Sequence, residues 1–461
     1  MAGQREVRCV GPSYFLADRK SAIQRAVNLY LMSIEGAGED SPFVLESAPG
    51  LEEEANLGAE TQAIYEADGR LFVAAGGVLY EWVSGAMVSR GAIGFGPISM
   101  AHGLLQLCIV NGTSGWVLDL STNALTAITA EGWRGSNRVE YIDGYFVFVD
   151  PGTDQFYISG IDAASSLDAL DFSSADAQPD NITAHIVRKR ELYFLGSRSC
   201  EVWINSGGAD FPFARYQGTP IDVGVVGKFA VCRAADTLMF VGQTDRGGAM
   251  VYEMSGYQPQ RISTQAVEQA LEASTDISQA AVWAYQEAGG EFLAVNAPGL
   301  ETTWVFDAAT RQWHERAELV AGAYQPLRVT GVAFHQNTHY AIAGPKFYRM
   351  ARRINTLGGD VLCRERTWPH LLAPSLEPVT YRGLEVRCTS GEGLAGARMS
   401  LEVSNDGGSV FGPPLSRSLG AVGRRTQRVR WLPLGTARER VFRLRVTDAV
   451  PLTIHGATVE A

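Results

Sequence analysis

Lysine is almost missing from this 461-residue chain: only positions 20, 189, 228 and 346 carry it, and the other 35 basic residues are arginine. Cysteine is sparse as well. The six, at 9, 108, 200, 232, 363 and 388, are far apart in the chain, with no C-x-x-C and no histidine at zinc-ligand spacing. That excludes a disulfide framework and predicts free thiols in a reducing compartment. No apolar run approaches the roughly 20 residues that a bilayer-spanning helix needs, so no membrane insertion is expected. The charged start, Met1 to Arg8, has no apolar stretch of the kind a secretory signal needs, so none is expected. Motifs of catalysis are lacking too: there is no G-x-S-x-G, H-E-x-x-H, P-loop or post-strand G-x-G-x-x-G. No enzyme and no cofactor or metal are expected. His335 and His339, close together in the chain, read as a turn pair.

What is present is ample for burial: 46% of residues are apolar and 10% aromatic, in a chain too long for one ordinary domain. Net charge is −11, which argues against a general binder of nucleic acid or anionic membrane. The charge is uneven. Residues 1–345 carry −19 and residues 346–461 carry +8. A step of that size predicts a domain boundary near 346–358, where Gly358-Gly359 offers a linker.

A β-branched and aromatic run, a turn with Gly or Asp, and a second such run recur seven times. The units are Leu71–Trp82, Leu104–Leu120, Tyr145–Ser159, Glu191–Asn205, Thr237–Met254, Glu291–Asp307 and His339–Met350. Their starts recur about every 40 residues or a little more, the spacing of four-stranded β-propeller blades. Seven blades are expected, with the N-terminal segment as a contributor to one. Six is the alternative, because the last unit shows no outer strand of its own. Asp119-Leu-Ser-Thr122 and Asp307-Ala-Ala-Thr310 read as Asp-capped turns. Ser263 or Thr264 can cap one helix, on which Ala266, Val267, Ala270 and Leu271 share a face.

From about position 376 that long beat gives way to plain alternation. Arg428 and Arg430 alternate with Val429 and Trp431, and Arg443 and Arg445 with Leu444 and Val446. The expected fold class is therefore all-β: an extended arm over 1–50, a β-propeller over 51–350 and a C-terminal β-sandwich over 351–461. Ser404–Phe411 resembles the Asp box of sialidase propellers, which is itself a turn. It keeps open the alternative of a propeller-based glycan-binding or sialidase-like protein. The stretch 160–181 holds five Asp and no Lys, Arg or Glu, and reads as a solvated acidic loop or one that pairs with a neighbour's arginines.

Longer strings carry a family resemblance. Asn28-Leu-Tyr-Leu31, Pro42-Phe43 and Ala48-Pro-Gly-Leu51 open it. Tyr141–Phe148, Pro151–Phe156, Leu167–Phe172, Glu201–Ser206, Asp210–Phe213 and Gly256–Ser263 continue it, and Trp313–Arg316, Ser404–Phe411 and Asp448–Gly456 complete it. Together they resemble the packaged-DNA stabilization proteins of short-tailed phages, also called tail accessory, hub or nozzle proteins. The resemblance covers nearly the whole chain. It implies a non-enzymatic virion component, assembled in the host cytoplasm, that forms a homo-hexamer below the portal and its adaptor ring. Such a ring closes the DNA-filled head, continues the ejection channel and offers docking surface to the tail needle and to fibre or spike proteins. An acidic lumen would let duplex DNA pass without tight binding, since few counterions would be released.

In such a ring the charge step suggests how copies meet: the basic part of one against the acidic part of the next. Arg424, Arg425, Arg428 and Arg430 are the expected basic residues, with Arg428 and Arg430 on one strand face. Asp168, Asp171 and Asp176 are the expected acidic partners.

Overall fold

The computed structural model describes residues 4–34, 42–216, 221–244, 247–287, 289–372 and 377–461. Hydrophobic alternation organises most of the described chain into seven antiparallel blades of four strands, the fifth with the short extra strand Gly224–Val225. Blade one comprises Thr61–Ala67, Arg70–Ala75, Val78–Val83 and Ala86–Ala92, inner to outer. Blades two, three and four repeat the pattern from inner strands Ser99–His102, Val139–Ile142 and Ala184–Arg188. The inner strands of blades five, six and seven are Val231–Ala234, Ala281–Glu287 and Val329–His335. Each inner strand packs beside the next, and that of blade seven meets that of blade one, so the ring closes.

Closure uses a distant segment. The seventh blade has only three strands from its own region, and Gly50–Asn56 supplies the fourth by pairing with Lys346–Ala351. Docking the two ends of a propeller into one blade removes a free sheet edge and ties the ring.

The N-terminal segment that precedes Gly50 runs largely as strands. Gln4–Val7 and Phe43–Ser47 both pair with the last strand, Thr453–Glu460. Ile23–Val27 lies between Arg364–Thr367, to which it is antiparallel, and Gln312–Val320 of blade six, which it meets in parallel at Val27 and Glu315. One sheet therefore runs from blade six through the N-terminal strand into Arg364–Thr367, Glu439–Val446, Arg398–Ser404 and Leu415–Ser418. The facing sheet holds Leu29–Ser33, Phe43–Ser47, Thr453–Glu460, Gly383–Cys388 and Val429–Trp431. Between the two sheets Cys9, Leu31, Leu45, Trp368, Trp431 and Phe442 form part of one buried core. The C-terminal region is a β-sandwich, and the N-terminal strands weld it to the propeller.

The helix forms at Gln265–Glu272 after Thr264 and buries Ala266, Val267 and Leu271. The acidic stretch is a correction to the expected loop. Ala163–Ser174 is the outer strand of blade three, twelve residues long, joined to Gln155–Gly160 with two register shifts. Its alternating Ser, Asp and apolar residues suit an edge strand, where charge discourages pairing with other chains.

Candidate functional site

The basic residues expected at an interface are built on the short strand Val429–Trp431. Val429 and Trp431 are fully buried and pair across to Val386 and Leu384, which turns Arg428 and Arg430 outward. Both reach Glu385: Arg428 donates through Nε at 2.7 Å, and Arg430 Nε lies 3.9 Å away. Arg430 also donates to Glu460 at 2.6 Å. They share a strand face, as expected. The hydrogen bond from Arg428 holds the Glu385 carboxyl below the usual carboxylate range and raises the Arg428 guanidinium in turn.

Arg424 and Arg425 sit just before that strand, in a loop pinned from below. Ser390 Oγ donates to the Arg425 carbonyl at 2.9 Å, and Gly391 accepts the loop's close approach. At φ +70°, with Arg424 backbone 2.6 Å from where a Cβ would stand, position 391 has room only for glycine. Arg425 is 77% exposed and lies 3.5 Å from Glu392, and Arg424 is exposed. The four arginines thus form one outward cluster in which Arg428 and Arg430 already hold carboxylates.

The acidic set is more scattered. Asp168 is exposed and accepts from the Leu170 N–H at 2.9 Å, closing its own turn. Partial burial and the neighbouring Asp168 raise the Asp171 carboxyl. Asp176 lies beyond the strand and already pairs with Arg215 of blade four, which also holds Glu201 at 2.8 Å. Beside these acids stands Leu170, 81% exposed. Within one chain no described hydrogen bond or ion pair joins the arginine set to the aspartate set.

By sequence Arg443 and Arg445 alternate with apolar residues, which puts them on the polar face of their strand. The structure covers that face. Arg443 and Arg445 converge on Glu402, and Arg445 Nε donates to the buried Glu365 at 2.7 Å. Glu365 also accepts from Tyr324 and Thr367 at 2.8 and 2.9 Å. Alongside, Glu315 accepts from Arg25, from Ser13 Oγ at 2.9 Å and from Thr302 Oγ1 at 3.0 Å. This seam of buried charge joins blade six to the sandwich. Its local sequence signal was only the alternation of Arg with apolar residues, which does not say what covers the polar face.

The remaining motifs are turns. Asp406 Oδ1 accepts from Ser404 Oγ at 2.6 Å and from the Ser409 and Val410 N–H groups at 3.0 Å, while Gly407 and Gly408 take positive φ. This Asp-box loop lies in the sandwich, beneath Arg443 stacked on Phe411 at 3.7 Å. Asp119 and Asp307 cap their turns as expected, each accepting from two N–H groups that follow it, at 2.8 to 3.4 Å. His335 and His339 flank the turn at Gln336 and Asn337. Among the described residues no three His, Cys, Asp or Glu side chains gather as a metal site would require, and no helix is long and apolar enough to cross a membrane.

The family model described as "Bacteriophage P22 Gp10, beta-propeller" matches residues 24–324, and "Bacteriophage P22 Gp10, beta-sandwich" matches residues 367–461. No curated protein matches the chain. Among solved structures, PorZ of the Porphyromonas gingivalis type-IX secretion system is 13% identical over 65% of this chain, with a TM-score of 0.41. The chain spans 37% of that protein's length. The N-terminal domain of Nup159 is 8% identical over 71% of this chain and 99% of its own, with a TM-score of 0.42. The Cps50 (Swd1) propeller domain of Myceliophteria thermophila is 9% identical over 65% of this chain and 99% of its own, at 0.44.

Proposed function

The chain belongs to the bacteriophage P22 Gp10 family and is a structural protein of a phage tail, and from that premise we propose that it forms the tail hub or nozzle ring. In this reading six copies stand below the portal and its adaptor ring, close the filled head and continue the ejection channel. Tail needle and fibre or spike proteins dock on the exposed blade and sandwich loops. The observation that carries the reading is the match of both domains, in order, to the two domains of one tail-protein family.

The geometry supports a passage between copies. The blades' inner strands enclose an axial cavity of about 540 Å³, far too small for a duplex whose grooves alone are about 6 and 12 Å wide. A DNA channel therefore has to be walled by several chains. The welded propeller and sandwich suit that task, because a continuous sheet transmits load without a hinge. The net −19 of residues 1–345 supports a lumen that repels phosphate. Duplex DNA should bind the purified protein only weakly at about 0.15 M salt; nanomolar binding with a steep salt slope would contradict the acidic lumen.

Contact between copies is proposed to bring Arg424, Arg425, Arg428 and Arg430 of one chain against Asp168, Asp171 and Asp176 of the next. Arg424, Asp168 and Asp171 hold the more available charges, since Arg425, Arg428, Arg430 and Asp176 are already paired within the chain. Negative-stain electron microscopy of the purified chain tests the ring: sixfold rings are expected, and a protein that stays monomeric at high concentration or closes with another symmetry opposes the reading.

A further inference from the structure

The propeller axis carries charges that the tail role does not use. Arg138, at the start of blade three's inner strand, points into the axial cavity with Glu140 two residues on. Arg233, on the inner strand of blade five, reaches past blade four to donate to Glu140 Oε2 at 2.7 Å. Arg138 donates to Glu140 Oε1 at 3.5 Å and to the Lys228 carbonyl at 2.9 Å. Two guanidinium groups therefore share one carboxylate, which leaves a net positive charge inside the cavity. The Arg138 Nε is buried with no hydrogen-bond partner among the described residues, so Glu140 and the Lys228 carbonyl do not fully satisfy this guanidinium.

The walls are of the opposite kind. Ile64, Ile98, Val231 and Trp283 line the same space. Solvent reaches it, because the Arg233 side chain is 52% exposed. Tyr65 and His102 stand alongside, joined by a 3.1 Å hydrogen bond. A chamber of about 540 Å³, whose apolar walls are interrupted by Gln62, Ser99 and Thr330 and which holds a convergent cationic group, has the size and make-up of a small-molecule site. Burial lowers the Arg138 guanidinium from its ordinary range, a strain that an anion beside it would relieve.

We propose that the axial cavity binds a small organic carboxylate with an apolar body, its carboxylate held between Arg138 and Arg233 and its body against Ile64 and Trp283. The paired arginines select the charge, and the walls select against inorganic anions. Glu140 competes with the ligand for both guanidinium groups and so sets the affinity.

Phenylacetate and its neutral isostere phenylacetamide are suitable probes, titrated calorimetrically into the full chain at low ionic strength. Phenylacetate should bind with a dissociation constant of about 1 mM or tighter, and the amide at least about tenfold more weakly, through loss of a charge-assisted hydrogen bond. Arg233→Met should weaken phenylacetate binding about tenfold, whereas Glu140→Gln should strengthen it. That opposition is the signature of a site, since a merely structural triad would respond to both substitutions in the same direction. Equal binding of acid and amide, unaltered affinity in Arg233→Met, or no binding in a chain with native circular dichroism would overturn the proposal.

Discussion

Two sets of arginines in the C-terminal region have opposite fates. Arg364, Arg366 and Arg440 are about 1% exposed and donate to main-chain carbonyls. Arg366 bonds the carbonyls of Cys9, Pro12 and Arg25 at 2.6 to 3.2 Å, and Arg364 bonds that of Val450 at 2.7 Å. Arg440 bonds that of Leu434 at 2.9 Å and stacks on Tyr381. Arg424, Arg425 and Arg428, by contrast, project into solvent. Guanidinium can do both, because its planar fork satisfies several acceptors at once and is weakly hydrated. The difference teaches that the +8 of residues 346–461 overstates the basic surface. Part of that charge staples irregular backbone, above all the N-terminal segment that Arg366 clamps, and only the remainder, the rim included, is exposed to meet a partner.

The largest effect expected from this contrast is at the clamp. Arg366→Met strips buried carbonyls of their donor, and at about 1–3 kcal/mol for each unsatisfied group the loss should reach about 3 kcal/mol or more. Urea unfolding measures it. Arg366→Lys should recover little, because one ammonium cannot reproduce the fork. A clamp worth no more than a rim residue would erase the distinction between the sets.

Acid sharpens the contrast from the other side. Arginine keeps its charge as pH falls, but burial pushes His185 and His314 in the blades down to about 3. These histidines stay neutral in the fold while the unfolded chain takes up protons below the ordinary value of about 6.5. Stability is therefore full above that value and falls as pH drops through the window from about 6.5 toward about 3. By pH 5 each histidine should have withdrawn about 2 kcal/mol. His314 packs near Tyr30 and Phe292 at 6.1 and 5.8 Å, so His314→Phe should fit and remove the share of the dependence that His314 contributes. Thermal melts at pH 7, 6 and 5 give the slope.

The smallest effect on the fold, and the most specific on assembly, is expected at the rim. Replacing Arg424, Arg425, Arg428 and Arg430 with Glu should leave the melting temperature within about 2 °C yet reduce ring formation at low salt. Normal rings in a normally melting variant would show that these arginines face elsewhere.

Much of the fold was legible because propeller blades are local. The hairpin read at Leu71–Trp82 is the pair Arg70–Ala75 and Val78–Val83, and the helix starts after the expected Thr264, although that side chain makes no capping hydrogen bond. Long-range pairing was not legible. The missing outer strand of the last unit pointed to the N-terminal segment, but not to Gly50–Asn56 in this register, and nothing in Ile23–Val27 announces that it bridges blade six to the sandwich. The stretch 160–181 read as a loop because of its many acids, which an exposed edge strand tolerates. Among site residues, the shared face of Arg428 and Arg430 followed from strand periodicity. Glu385 and Glu460 as their partners did not, since register between strands decides them.

The central claim is a ring of six whose copies meet through the arginine rim. A cryo-electron microscopy reconstruction of the virion that carries this chain tests it most directly. The account predicts six copies below the portal and adaptor, with the Arg424–Arg430 segment against blade three of the neighbouring copy and duplex DNA in the space they enclose. A different copy number, or an Arg424–Arg430 segment facing open solvent in the assembled tail, would contradict it.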